Sequence, residues 1–285
     1  AAQVRGIPVL QFRRMRAQEA IDAFKALKAD LGVMAFVTDI VPDDILEGPT
    51  RGTIQYHPSL LPKHRGPSSI NWPIMAGATK TGLSIFWPDD GLDEGDILLQ
   101  KEIDIGPDDT LGSIYFNQLF PMGVDALLEG VDLVRAGKAP KIVQDESKQT
   151  YESWCRKADA EVDWSKPAAE VYNLIRGANP QPGAWTMHDG KVLQIFDSAA
   201  SDATGGAPGE VIAIDETGIT VAASGGAVLV KRMRPEGDKK ISAGPCLPGA
   251  IRLWGKVTSC LAASCLVPPP FFPPPPPPPC SRSGR

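Results

Sequence analysis

Cysteine and histidine are scarce in this chain. Of five cysteines in 285 residues, Cys155 alone precedes residue 245, and Cys246, Cys260, Cys265 and Cys280 follow without the paired spacing of a metal site. A disulfide framework and a bound metal are therefore not expected, and a reducing compartment, the cytoplasm, is. No apolar run approaches the roughly 20 residues that span a bilayer, and no basic-then-apolar leader opens the chain. No membrane partner is expected. An excess of positive charge is also missing: 29 Lys and Arg face 34 Asp and Glu, for a formal charge of −5, which removes any general pull toward nucleic acid. What is present is 42% hydrophobic residues over a length that suits two modest domains, each with its own core.

The first half alternates helix and strand signals. Ile7 to Gln11 has strand character. Residues 16–31 carry Ala20, Ile21, Phe24, Leu27 and Leu31 on one helical face, with Gly32 as a stop. "VMAFVTDIV", residues 33–41, is a continuous apolar run, the pattern of a parallel strand covered on both faces. "DDILEG" makes a short turn or helix before a strand that ends at His57. Pro67 is expected to open a helix to about Gly77 that Pro73 kinks. "TGLSIFW" and "ILLQKEI" are strands joined by an acidic loop, and two helices are expected over "DDTLGSIYFNQLF" and "MGVDALLEGVDLVRAG". This alternation predicts an α/β fold with an open, largely parallel sheet over residues 1–136.

Residues 137–150, "GKAPKIVQDESKQT", are polar and unpatterned and read as a linker. In residues 151–243 the texture changes. "DWSKPAAEVYNLIRG" reads as a helix with Ser165 as N-cap and Gly177 as stop. Short strands broken at Asp189-Gly190, Thr217-Gly218 and Gly225-Gly226 then predict a small antiparallel sheet or barrel. Residues 244–285 end in "PPPFFPPPPPPPCSRSGR", a polyproline tract that cannot join a core; a disordered tail is expected, with docking to an SH3-like or WW-like module as the alternative.

Two stretches carry chemistry. In "GTIQYHPSLLPKHRG", residues 52–66, strand alternation puts Thr53, Gln55 and His57 on one face and Ile54 and Tyr56 on the other. At the carboxyl end of a parallel strand, that polar face meets the crevice in which α/β folds bind ligands. Alone, His57 reads first as a histidine satisfied by neighbours at a loop mouth, the commoner role for such a residue. The second stretch is "DDGLDEGD", with Asp89, Asp90, Asp93, Glu94 and Asp96. It reads as a solvated acidic hairpin; the spacing of an EF-hand calcium loop is not met.

Taken together, "HPSLLPKHRG" and "FWPDDGLDEGD" resemble the folate-dependent formyltransferase family, which includes methionyl-tRNA formyltransferase and, with the closer likeness, the 10-formyltetrahydrofolate hydrolase domain of formyltetrahydrofolate dehydrogenase. "VDWSKPAAEVYNLIRGANPQPGAWT" is similar to the opening of the family's C-terminal barrel domain, and the likeness runs from about residue 5 to residue 243. The resemblance implies an incomplete Rossmann-like sheet followed by an OB-like barrel. It implies catalytic roles for His57 and Asp93, folate contacts from Ser59, Leu60, Leu61 and Pro62, and pterin contacts from Asp39, Ile40 and Val41. It also implies 10-formyltetrahydrofolate as formyl donor, and no metal.

Two departures from the family pattern stand out. Gln55 occupies the place of an Asn usual in transferases, so its amide starts one methylene further out; the resemblance makes it an auxiliary oxyanion donor. The strand–helix unit with which family members open has no counterpart here, which predicts an unpaired strand edge. For the acceptor, residues 151–240 hold ten Lys and Arg against thirteen Asp and Glu, so water or a small amine is preferred to tRNA, despite the basic "VKRMRP" with Lys239 and Lys240. Lys63, His64 and Arg65 are expected to flank the folate tail or touch RNA. Sugar-amine formylation and an inert folate-binding fragment are the remaining alternatives.

Overall fold

The computed structural model describes residues 2–37 and 39–244; the Pro-rich tail beyond Gly244 and its four cysteines lie outside them. Strands β1 (Gly32–Met34), β2 (Thr53–His57), β3 (Lys80–Phe86) and β4 (Ile97–Asp104) form one sheet in that order. β1 and β2 run parallel, with Met34 beside Gln55. The other two pairs are antiparallel. The α/β class is as expected, but parallel pairing is confined to one pair among the described strands; for β3 and β4 the reason is that residues 87–96 are too few for a parallel crossover, which needs about a dozen or more.

Several elements are shorter than their sequence signals. Ile7 to Gln11 forms no strand, since no neighbouring strand offers it ladder partners, and Ile7, Val9 and Leu10 lie exposed. The run 33–41 is strand only to Met34: Phe36 adopts a φ of +57°, incompatible with an extended ladder, and turns the chain away. β1 is thus a short edge strand, with Val33 exposed. The first helix, α1 (Gln18–Ala26), ends well before Gly32, at a left-handed Lys28. Helix α2 covers Asp43–Leu46 and α3 Asn71–Met75. Pro73 does not kink α3, because it falls in the first turn, where its missing N–H had no intrahelical partner to lose.

The two helices expected after β4 are one rod. α4 (Leu111–Ser113), a π-helical turn (Ile114–Leu119) and α5 (Phe120–Arg135) follow without a break. The wider π turn carries the rod past Pro121, which cannot close an ordinary i→i−4 bond. Gly123, Ala126, Gly130 and Val134 line the buried face of α5. A Cβ at Gly123 would lie 2.6 Å from the Tyr56 ring, so the helix settles on β2 only because that position is bare. Such a glycine costs the helix roughly 1 kcal/mol against alanine. The fully buried Ile54, Leu83 and Ile85 beneath it are worth about 1.5–3 kcal/mol each. Burial wins, and β2 is held rigidly.

The second half begins with α6 (Ala168–Gly177), whose N-cap is Pro167 and not Ser165. The Ser165 hydroxyl instead donates to Asp163 Oδ1 at 2.6 Å, closing a local turn before the helix starts. Strands β5 (Ala184–His188), β6 (Lys191–Ile195), β7 (Ser198–Ser201), β8 (Val211–Asp215), β9 (Gly218–Ala223), β10 (Gly226–Val230), β11 (Arg232–Pro235) and β12 (Ile241–Ser242) are all antiparallel. They form two sheets, β7-β10-β9-β8 and β12-β11-β6-β5, rather than one closed barrel. The chain bends from one sheet to the other at Asp197, whose carbonyl accepts from both Lys231 and Arg232 N–H. Trp164, Val171, Ile175, Ile195, Ile219 and Val228 share the core between them.

α3 and α6 join the two halves. Buried Asn71 donates from Nδ2 to the carbonyls of Gly177 (2.9 Å) and Gln181 (3.0 Å). Tyr172 donates to Asp108 at 2.7 Å, and Arg176 Nη1 to the Asp109 carbonyl at 3.0 Å. Asn71→Leu keeps the volume but strips both carbonyls of their donor. It is expected to cost about 1–3 kcal/mol, read as a lower urea midpoint at unchanged m-value; an unchanged midpoint would show that these bonds do not hold the halves together.

Candidate active site

β2 ends at His57, opposite Ser84 of β3, with the residue 5% exposed. Its Nε2 is 2.9 Å from the backbone carbonyl of His64. A carbonyl only accepts, so Nε2 carries a proton there. Nδ1 faces the Oδ2 of Asp93 at 3.5 Å, and Asp93 is 7% exposed. The separation is long for a hydrogen bond and short enough for an ion pair once the ring is doubly protonated. The two residues singled out in the sequence therefore converge across 36 positions, in a place from which water is nearly excluded.

Asp93 is itself held. Its Oδ2 accepts from the Gly66 N–H at 2.9 Å, and its backbone takes a left-handed φ of +59°, a conformation that short polar residues tolerate. The other carboxylate oxygen, Oδ1, has no hydrogen bond among the described residues and is not fully buried.

The "SLLP" loop is stapled to the sheet. Ser84 Oγ donates to the Ser59 carbonyl (2.7 Å) and accepts from Leu61 N–H (3.1 Å); Gln100 Nε2 donates to the Leu61 carbonyl (2.8 Å). Ser59 and Leu61 are buried by these contacts, which leaves the half-buried Leu60 and Pro62 as the side chains the loop can offer a ligand. Gln55 shares His57's face, half-buried, and its amide has no side-chain hydrogen bond among the described residues. Asp39, Ile40 and Val41 follow β1 beyond the end at which β2 delivers His57. Asp39 accepts from the N–H of Met15 and of Ile40, and no described contact joins the three to His57.

The sequence misplaces Arg65 and gives no sign of Gln144. Arg65 is 2% exposed, so it cannot flank a folate tail or touch RNA as expected. It donates from Nε and Nη2 to Gln144 Oε1 (3.3 and 2.8 Å), from both terminal nitrogens to Glu146, and from Nη1 to Gln149. The hydrogen bond from Arg65 holds the Glu146 carboxyl below its ordinary range. Gln144, equally buried, donates to the carbonyls of Asp93 (2.9 Å) and Gly95 (2.7 Å). These partners come from the segment read as a polar linker, which also pairs Ile142 with Ile97. His64 is engaged too, its Nδ1 3.0 Å from Glu152 Oε1.

The arrangement offers a proton-carrying ring nitrogen, a carboxylate with one open oxygen and an unspent amide on one polar face. No group of three or more His, Cys, Asp or Glu among the described residues is placed to hold a metal ion, and none of the described helices is long and apolar enough to cross a membrane.

Comparison with known proteins places the chain in a family. The family described as "Formyl transferase" covers residues 2–128, and "Formyl transferase, C-terminal domain" covers residues 155–250. The chain is 39% identical over 257 residues to mitochondrial 10-formyltetrahydrofolate dehydrogenase of Mus musculus, over 85% of this chain and 28% of that protein. It is 43% identical to the cytosolic 10-formyltetrahydrofolate dehydrogenase of Xenopus laevis, over 70% and 22%. The chain thus spans between a fifth and a third of those proteins. Methionyl-tRNA formyltransferase of Geotalea daltonii is 39% identical over 87% of this chain and 79% of its own length. Among solved structures, HypX from Aquifex aeolicus in complex with tetrahydrofolic acid shares the fold, with a TM-score of 0.67 at 22% identity over 81% of this chain and 41% of its own. With both domains matched and the Geotalea protein aligned over most of its length, the chain belongs to the formyl transferase family.

Proposed function

We propose that this chain removes the formyl group of 10-formyltetrahydrofolate, delivering it to water or to a small amine. The observation that carries the reading is the buried approach of His57 to Asp93 at 3.5 Å at the end of β2. Names of the relatives support the donor, since 10-formyltetrahydrofolate dehydrogenases lead the similar proteins. In this reading residues 1–136 bind folate and residues 151–243 form a second domain, joined by residues 137–150. Asp39, Ile40 and Val41 meet the pterin, and the Ser59–Leu60–Leu61–Pro62 loop borders the folate.

Deformylation needs three acts. A nucleophile must add to the formyl carbon, an oxyanion must be tolerated, and N10 must gain a proton before it leaves. Asp93 Oδ1 accepts a hydrogen from water and takes its proton as the water oxygen bonds to the carbon. The Gln55 amide donates to the developing oxyanion, an effect worth about 2.7–4 kcal/mol per donor. His57, doubly protonated, gives its Nδ1 proton to N10 as the carbon–nitrogen bond breaks, while Nε2 keeps its hydrogen on the His64 carbonyl. The products are formate and tetrahydrofolate, or a formamide when an amine attacks.

Transfer to methionyl-tRNA is the second reading, favoured by the Geotalea relative's coverage. The excess of acidic over basic residues in 151–240 argues against it. Relatives are both cytosolic and mitochondrial; the cytosolic ones support the cytoplasmic location proposed for this chain. The test incubates the purified chain with 10-formyltetrahydrofolate, alone and with charged initiator tRNA or an amino sugar nucleotide. Turnover alone is the expected result. Turnover only with tRNA would replace the acceptor, and folate binding without any turnover would make the chain a binding fragment.

A further inference from the structure

We infer that Gln144 is a positioning residue for Asp93, with Arg65 as its anchor, so that the segment read as a linker sets the geometry of the site. The inference rests on the reading of Asp93 given above. Gln144 spends both amide hydrogens on the hairpin that carries Asp93, on the carbonyls of Asp93 itself and of Gly95. Between those two bonds the backbone at Asp93 keeps its left-handed φ, which an unsupported loop would exchange for a commoner conformation. The Gln144 oxygen is turned the correct way by the Arg65 guanidinium, and only this orientation of the amide satisfies both sides.

The same anchor reaches His57. Arg65 lies between His64, whose carbonyl fixes the imidazole, and Gly66, whose N–H fixes the Asp93 carboxylate. Its backbone is pinned by N–H donation to the Thr150 carbonyl and by acceptance from the Glu152 N–H. One buried cluster therefore locates both sides of the pair: Arg65 through the His64–Gly66 turn, Gln144 through the acidic hairpin. Gln144 touches neither ring nor carboxylate, and acts only by where it puts Asp93.

The test compares Gln144→Ala and Gln144→Glu with the parent chain. Gln144→Glu retains acceptors for Arg65 but removes both donations to the hairpin, so it isolates the proposed contact if the alanine variant fails to fold. Each is expected to lower kcat by roughly ten- to a hundredfold, with KM within about twofold. In an Asp93→Asn background the same substitutions should change kcat by less than about twofold, because the group they act through is already disabled. Equal losses in both backgrounds, or a kcat near the parent's for both variants, would overturn the inference. Hydrogen exchange of the Gly66 amide gives a readout without turnover: it should quicken in both variants, and unchanged protection would count against the proposal. If the parent itself leaves 10-formyltetrahydrofolate intact, the proposed function falls, while Gly66 exchange still decides whether Gln144 holds Asp93.

Discussion

His57→Ala is expected to lower kcat for formyl release by about 10²–10⁴-fold, the range of a lost general acid. Folate affinity should stay within about twofold, because the folate contacts proposed for residues 39–41 and 59–62 do not involve the ring. The reason for so large an effect is local. N10 departs as an amide-like anion unless protonated, and the described site holds no other titratable ring on that face of β2. Asp93→Asn should give a loss of similar size, since the amide is neutral and cannot favour the charged imidazole or take a proton from water. Stopped-flow absorbance of tetrahydrofolate formation, alongside equilibrium folate binding, separates the two quantities. A kcat for His57→Ala within threefold of the parent (about 0.65 kcal/mol) would remove His57 from the chemistry.

Gly66→Ala should be strongly damaging for so small a change. Gly66 has φ +106°, and a Cβ there would lie 2.3 Å from the Glu152 carbonyl oxygen, a backbone atom that cannot swing aside. Conformational strain of this kind costs about 1–3 kcal/mol. Relief would require the 151–152 crossing to move, and with it the N–H that holds Asp93 Oδ2. The expected outcome is a Tm lower by roughly 5–10 °C together with loss of most turnover in the molecules that remain folded. A variant with parent-like melting and rate would mean that the crossing is not fixed.

His57 was legible from the sequence because alternation along five strand residues and the proline-rich break after it mark a strand end. Asp93 was not singled out by its own loop, where five carboxylates look alike; the likeness of both stretches to one family separated it. Arg65 looked like a surface cation, and Gln144 lay in a stretch without periodicity. Their contact spans 79 residues, and no local pattern encodes a bond between two polar groups that only the tertiary fold buries. The misread elements share a cause. Ile7 to Gln11 has strand-like side chains but no neighbour to pair with, and residues 35–37 leave the ladder where Phe36 turns left-handed, so in both places tertiary context overrides a local strand signal. The rod from Leu111 to Arg135 went the other way: two helices were expected on either side of Pro121, and a π turn makes them continuous.

The most direct measurement is a double-mutant cycle on kcat with His57→Ala, Asp93→Asn and the pair combined. If imidazole and carboxylate act as one proton-handling unit, the combined variant is no slower than the slower single one. Losses that multiply would mean two groups working independently, and the buried 3.5 Å approach between them would then have no part in catalysis.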